Sequence, residues 1–188
     1  MKRKIVLVAA LLGALSQVPA GAVEYNRIDA AKSALGFGYT QMGVAMKGGF
    51  SRFAATLQFD PARPAAAKAS FDVQIASVDA GSSDANKELA NKDWFDSARY
   101  PVAHFEATRI APLGGNRYQV DGKLTIKGRT RDVSTPAALS ATGNSATLSG
   151  SLAIKRGDFA IGEGAWADFG IVANAIQIDF KLLALSGK

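Results

Sequence analysis

The only histidine in the chain is His104, in the stretch Tyr100-Pro101-Val102-Ala103-His104-Phe105. A histidine can serve as a general base or a metal ligand, but either role needs partners within hydrogen-bonding or ligating reach. Alternation along this stretch puts His104 on the face opposite Phe105, so it is expected to be a surface strand residue with no partner. Asp93 and Asp96 flank Trp94-Phe95 and come nearest to a carboxylate pair. As polar residues closing a helix they are explained without chemistry. There is no cysteine, no His/Cys set at zinc spacing, no Gly-x-Ser-x-Gly and no phosphate-loop sequence. The reading is therefore of a protein that is not an enzyme and carries no metal or cofactor. Lys123, Lys127, Arg129 and Arg131 concentrate positive charge on one expected hairpin. Two roles stay open for them: a solvated edge that resists strand-to-strand aggregation, or contact with an anionic head group or membrane surface.

What remains is apolar and periodic. Leu35, Phe37, Tyr39 and Gln41 share one face of a period-two stretch that opens at Tyr25. Phe53, Ala55, Leu57 and Phe59 repeat the pattern, followed by Ala69, Phe71, Val73 and Ile75. Ala103, Phe105 and Ala107 come next, then Tyr118, Val120, Leu124 and Ile126. The last row is Ile176, Ile178, Phe180 and Leu182. Met42-Gly43, Gly48-Gly49, Lys127-Gly128 and Gly143-Asn144 read as turns or bulges. About eight or nine strands at this spacing define an all-β antiparallel barrel or sandwich. Asp179 and Lys181 occupy outward positions where a membrane barrel would need an apolar band, so a lipid-facing barrel is excluded.

One segment breaks the alternation. Between Gly81 and Tyr100 there is no β-branched residue, and a short helix is expected near residues 83–92. Ser82 and Ser83 can cap its free N–H groups, and Asp84 suits its positive end. Leu89, Trp94 and Phe95 are its expected apolar contacts, with Lys87, Glu88 and Lys92 facing water. Pro101 stops continuation.

Lys2-Arg3-Lys4, the apolar run Ile5 to Leu15 and Ala20-Gly21-Ala22 read as a secretory signal peptide cleaved after Ala22. Residues 1–22 are thus the expected leader and 23–188 the exported domain, located in the periplasm with no transmembrane segment in the mature chain. The formal net charge is +6, half of it carried by the three basic leader residues. The remainder is ordinary for a soluble domain and gives no support to nucleic-acid binding. A monomer and a homodimer are both compatible with these features.

An eight-stranded barrel is at the size where side chains either fill the interior or leave room for one ligand. Both readings stand on residue patterning alone: a filled barrel acting through its surface on a membrane or stress-response partner, or a lined lumen. The lumen would be walled by Phe37, Tyr39, Phe50, Phe53, Leu57, Phe59, Phe71, Val73, Ile75, Phe105, Leu124, Ile178 and Phe180. Trp94 and Phe95 would close it from the helix side. Gln41, polar on an apolar row, is the candidate for a ligand head group.

A resemblance adds to this. Ser77-Val78-Asp79, Leu89, Asp93-Trp94-Phe95-Asp96 and Tyr100-Pro101 with Phe105 stand in the order found in the YceI-like family. The hairpin Gly122-Lys123-Leu124-Thr125-Ile126-Lys127-Gly128-Arg129-Thr130 and Arg156-Gly157-Asp158-Phe159 followed by Trp166 are similar to its later motifs. The resemblance implies an antiparallel eight-stranded lipocalin-like barrel with a helix by its mouth, holding an isoprenoid lipid or quinone. It also implies a b-type cytochrome membrane protein as a partner. Gln41 replaces an inward histidine common in the family, and Ala85, Asn86 and Glu88 replace its Arg-Asp-x-His. These departures fall on head-group recognition rather than on the apolar lumen.

Overall fold

The period-two rows become ten antiparallel strands in a computed structural model that describes residues 23–187. The expected leader, residues 1–22, lies outside the described residues. The strands are β1 (Tyr25–Gln41), β2 (Val44–Phe50), β3 (Phe53–Gln58), β4 (Lys68–Gln74) and β5 (Val78–Asp79). After helix α1 (Ser83–Ala90) come β6 (Val102–Gly114), β7 (Arg117–Ile126), β8 (Arg129–Thr142), β9 (Ser145–Lys155) and β10 (Ala175–Ser186). They form one sheet in the order β3-β4-β6-β7-β8-β9-β10-β1-β2-β5.

Ten segments correspond to eight passes of the chain. β2 runs into β3 across a corner at Ser51-Arg52, and β4 runs into β5 through a single 3-10 turn at Ile75–Ser77. The sheet curls until its ends meet. At one end the Tyr25 N–H donates to the Phe59 carbonyl at 2.8 Å, and the Phe59 N–H returns the bond to Tyr25 at 2.9 Å. At the other, β5 pairs with β2 through Gly49 and Phe50. Closure of this kind removes most of the unpaired edge that an open sheet would expose.

The long β1 bends at an irregularity between Asp29 and Ala34. There the Ser33 hydroxyl donates to the Asp29 carbonyl (2.7 Å) and accepts from the Leu183 N–H (2.9 Å), which pins the extra residues against β10. Lys127 and Gly128 both have positive φ, the backbone of a two-residue hairpin between β7 and β8. Gly48-Gly49, expected as a turn or bulge, lies inside β2 in unbroken register with β1 instead. A Cβ on Gly48 would collide with the Phe37 ring opposite it, so the glycine serves packing and not reversal.

α1 starts where capping chemistry places it: the Ser82 hydroxyl accepts from the Ala85 N–H at 3.2 Å, and Asp84 sits in the first turn. It is tied to the end of β5 by the Asn86 amide oxygen, which accepts from the Ala80 N–H at 2.7 Å.

Candidate ligand-binding cavity

The interior of the curl is not filled. A cavity of about 530 Å³ runs through it, walled almost wholly by apolar groups. Tyr118, Val120, Leu124 and Ile126, the inward row of β7, all line it. The nine residues from Tyr118 to Ile126, eight rises at ordinary strand geometry and barrel tilt, give a depth of about 20 Å.

The aromatic side chains leave this space open because they lie back against the wall over glycines. Phe37 covers Gly48 and Phe180 covers Gly150, each directly opposite in register; Phe105 covers Gly122 on the diagonal. At each glycine a Cβ would strike the ring above it. Phe rings packed over cross-strand glycines keep their burial while ceding the axis.

The floor is dense. Phe59, 1% exposed, meets the Tyr118 ring edge-on at 5.0 Å, and Tyr25, Ala146 and Ala184 pack around them. The roof is built from the segment after α1 and the loop between β9 and β10. Trp94 and Trp166 contact at 5.5 Å, Phe50 meets Phe95 edge-on at 6.4 Å, and Ile161 and Val172 fill in below. The opening lies beside α1. From Val44 to Gly48 β2 has no strand on its outer side, and Asp84, Ala85, Glu88 and Leu89 of the helix border the cavity. Asp84 is both exposed and a wall residue, so the cavity reaches solvent there.

The roof is held by Arg156, which is 1% exposed and pairs with no carboxylate among the described residues. Its Nη1 donates to the carbonyls of Ile161 and Gly162, both at 2.8 Å, and Nη2 to those of Trp166 (2.7 Å) and Val172 (2.8 Å). Nε reaches Val172 at 3.2 Å. The guanidinium also lies near the faces of Trp94 (5.7 Å) and Phe169 (4.8 Å). Burial lowers its pKa from the usual arginine value. One cation thus gathers a loop whose carbonyls would otherwise be unpaired.

Fourteen of the fifteen residues expected to wall the lumen do so, together with Gln41 at the rim. Phe53 does not. It sits at the β2/β3 corner and stacks on Phe71 at 5.0 Å, so it packs on a wall ring without lining the cavity itself. His104 is on the barrel's flank and half-exposed, but it has a partner that alternation could not show. Its Nδ1 and Asp72 Oδ1 are 2.6 Å apart across β4 and β6.

Lys127 is not part of a solvated basic edge. Its side chain is 8% exposed, and its ammonium donates to the carbonyls of Lys92 (2.6 Å) and Ala160 (2.7 Å) and pairs with Glu163 (3.1 Å). Lys123, on the same hairpin, pairs with Asp132 at 2.9 Å and stays exposed.

Glu88 does not simply face water. It accepts from Trp166 Nε1 at 2.7 Å and from the Asn91 amide at 3.0 Å, joining helix to roof. Asp96 closes a turn, its carbonyl accepting from the N–H groups of Arg99 and Tyr100, whereas the Asp93 carbonyl accepts from those of Gly162 and Glu163 and ties the segment after α1 to the loop between β9 and β10.

Arg156 and Trp166 appeared in the sequence only as parts of a motif. Their roles depend on carbonyls and a carboxylate scattered over Glu88 to Val172, and no spacing rule predicts that.

A curled antiparallel sheet around a deep apolar cavity, with one helix at its mouth, defines a lipocalin-like binding barrel. The YceI-like domain model matches residues 26–184, and the chain belongs to that family. A UPF0312 protein of Vibrio cholerae is 30% identical over 135 residues, covering 69% of this chain and 71% of its own. The crystal structure of BcnA from Burkholderia cenocepacia is 44% identical, with a TM-score of 0.82 over 84% of this chain and 99% of that one. A polyisoprenoid binding domain from Saccharophagus degradans, implicated in plant cell wall breakdown, shares the fold. It has 18% identity and a TM-score of 0.68 over 88% of this chain and 99% of its own.

Proposed function

We propose that this protein is an exported lipid-binding protein that holds an isoprenoid chain, the tail of a quinone or a polyprenyl lipid, for storage or transport in the periplasm. The observation that carries the reading is the apolar cavity about 20 Å deep, kept open by rings laid over glycines. A cavity of this volume withholds dispersion contacts from its walls, worth on the order of 10 kcal/mol by the cost of engineered cavities. That is comparable to the whole stability of a domain. An isoprenoid guest restores those contacts and gains about 0.8 kcal/mol for each CH₂-sized unit removed from water. The Saccharophagus degradans domain supports the same ligand class. A b-type cytochrome membrane protein is the partner this reading favours, as donor or acceptor of the quinone.

Organic extraction of protein purified from a quinone-replete host, followed by mass spectrometry, tests the proposal. A prenyl lipid near one equivalent per chain is expected. An extract without such a lipid would sink it.

A further inference from the structure

The turn between β1 and β2 departs from the chemistry of the other hairpins. Those joining β6 to β7, β7 to β8 and β8 to β9 carry Gly115-Asn116, Lys127-Gly128 and Gly143-Asn144 at their tips. The β1–β2 tip is Met42-Gly43, with φ of 46° and 80°. Two positive φ values in succession suit Asn-Gly or Asp-Gly, and a bulky side chain at the first position is strained. Met42 recovers nothing by packing, since it is 73% exposed. A local rule broken without a gain inside the folded chain points to a contact outside it.

The neighbouring residues give that contact a direction. Val44 pairs with Gln41 and Met46 with Tyr39, so both continue the lumen-facing row of Gly48 and Phe50. Neither lines the cavity; they stand beyond its rim, 60% and 36% exposed. Phe169, half-exposed, belongs to the loop bonded to this tip through the Met42 N–H and the Ile171 carbonyl at 2.8 Å. The lumen wall thus runs out into water as an apolar apron beside the mouth. Val23, Val102 and Leu113 are also exposed, but they are scattered singly over other parts of the chain and need no such account.

The occupant follows from area, access and charge. A few side chains of this kind bury too little for a stable dimer, which takes roughly 800 Å² from each partner. A protein seated here would also stopper the mouth that a ligand must use. A phospholipid surface escapes both objections: its hydrocarbon meets the apron directly, and it is where an isoprenoid chain resides when it is not bound. Lys47 on β2 and Asp84, Lys87 and Glu88 on α1 balance in sign, so no single-sign field at the mouth attracts or repels anionic head groups. The edge of β2 from Val44 to Gly48 sets the depth. Its unpaired N–H and C=O groups must stay in the hydrated head-group layer, so only the side chains of the tip reach the acyl boundary.

We propose that the β1–β2 tip is a membrane-docking wedge. Met42, Val44 and Met46 enter the interface of a phospholipid bilayer and set the mouth against it, so that a lipid passes along the apron without crossing water. This rests on the lipid-holding reading and adds the surface on which loading and release occur.

Sedimentation of the purified protein with phosphatidylcholine vesicles, alone or mixed with phosphatidylglycerol, tests the wedge. Binding to both, little changed by salt, is expected. Met42→Asn combined with Val44→Thr restores the turn chemistry and keeps β propensity, so the variant stays folded. It is expected to bind vesicles about tenfold more weakly or worse. Its affinity for a fluorescent prenyl probe without vesicles stays at the parent value, because neither residue lines the cavity. Transfer of bound probe should rise in proportion to vesicle concentration with the parent and lose that dependence in the variant. A parent that ignores vesicles overturns the docking, as does a variant that binds and transfers like the parent. Binding that needs phosphatidylglycerol and vanishes in salt assigns the contact to basic residues and overturns it too. So does a parent dimer that the variant dissolves, since a second copy then covers the apron. Probe binding separates the two readings: if it persists without vesicle binding, only the docking falls. Vesicle binding without probe uptake sinks the lipid-holding reading and leaves the wedge.

Discussion

The two ends of the barrel are closed by different physics. The floor at Phe59, Tyr118 and Tyr25 is a close-packed hydrocarbon plug, and its elements are adjacent strands joined by direct hydrogen bonds. The roof is a set of loops with little regular structure, tied together by Arg156, Lys127 and Glu88 donating to or accepting from groups far away in sequence. A hydrophobic plug is non-directional and tolerates no water. A polar lattice is directional, and it can part along one seam while the rest holds. That is why the opening lies beside α1 and not at the floor.

Arg156→Ala attacks the roof and should have the largest effect. It strands the carbonyls of Ile161, Gly162, Trp166 and Val172, at about 1–3 kcal/mol for each that stays buried. The expected outcome is a loss of about 4 kcal/mol or more in urea unfolding, with protease cleavage concentrated between residues 156 and 174. Cleavage elsewhere would show that the roof does not depend on the guanidinium.

Phe59→Ala attacks the floor. About 3–5 kcal/mol should be lost, while the lipid content of the protein that remains folded does not fall, because Phe59 lines only the closed inner end and its truncation enlarges the space there. Gly150→Ala separates capacity from stability. Its methyl group meets the Phe180 ring and lies 2.8 Å from the Pro136 carbonyl, so the ring is driven into the lumen. A cost of about 1–3 kcal/mol is expected, together with a clear fall in extractable lipid that Phe59→Ala does not share. Equal lipid content in the two variants would break the distinction between wall and floor.

Ser82→Ala is the gentlest. Loss of the cap should cost about 1 kcal/mol and speed release of a fluorescent prenyl probe, because α1 borders the mouth. An unchanged release rate would place the exit elsewhere.

Much of this was legible from residue order. Phe59, Phe71, Phe105 and Phe180 alternate with polar residues strongly enough to fix which side faces inward, and Ser82 with Asp84 announces the helix start. The illegible part is mostly polar. A glutamate on a helix read as facing water, a lysine in a basic hairpin read as a surface charge, and an arginine in a short motif carried no assigned role. Each proved to be held by main-chain or side-chain groups that the fold delivers from other loops. His104 is the same case on the flank, since Asp72 becomes its neighbour only through the β4/β6 register.

Local sequence determined the strands, their turns and their inward faces, because alternation and turn chemistry act over a few residues. Whether the barrel would be solid or hollow was settled in three dimensions. The answer turned on which glycine of a neighbouring strand comes to lie under each phenylalanine, and that depends on cross-strand register and sheet curl rather than on neighbours along the chain.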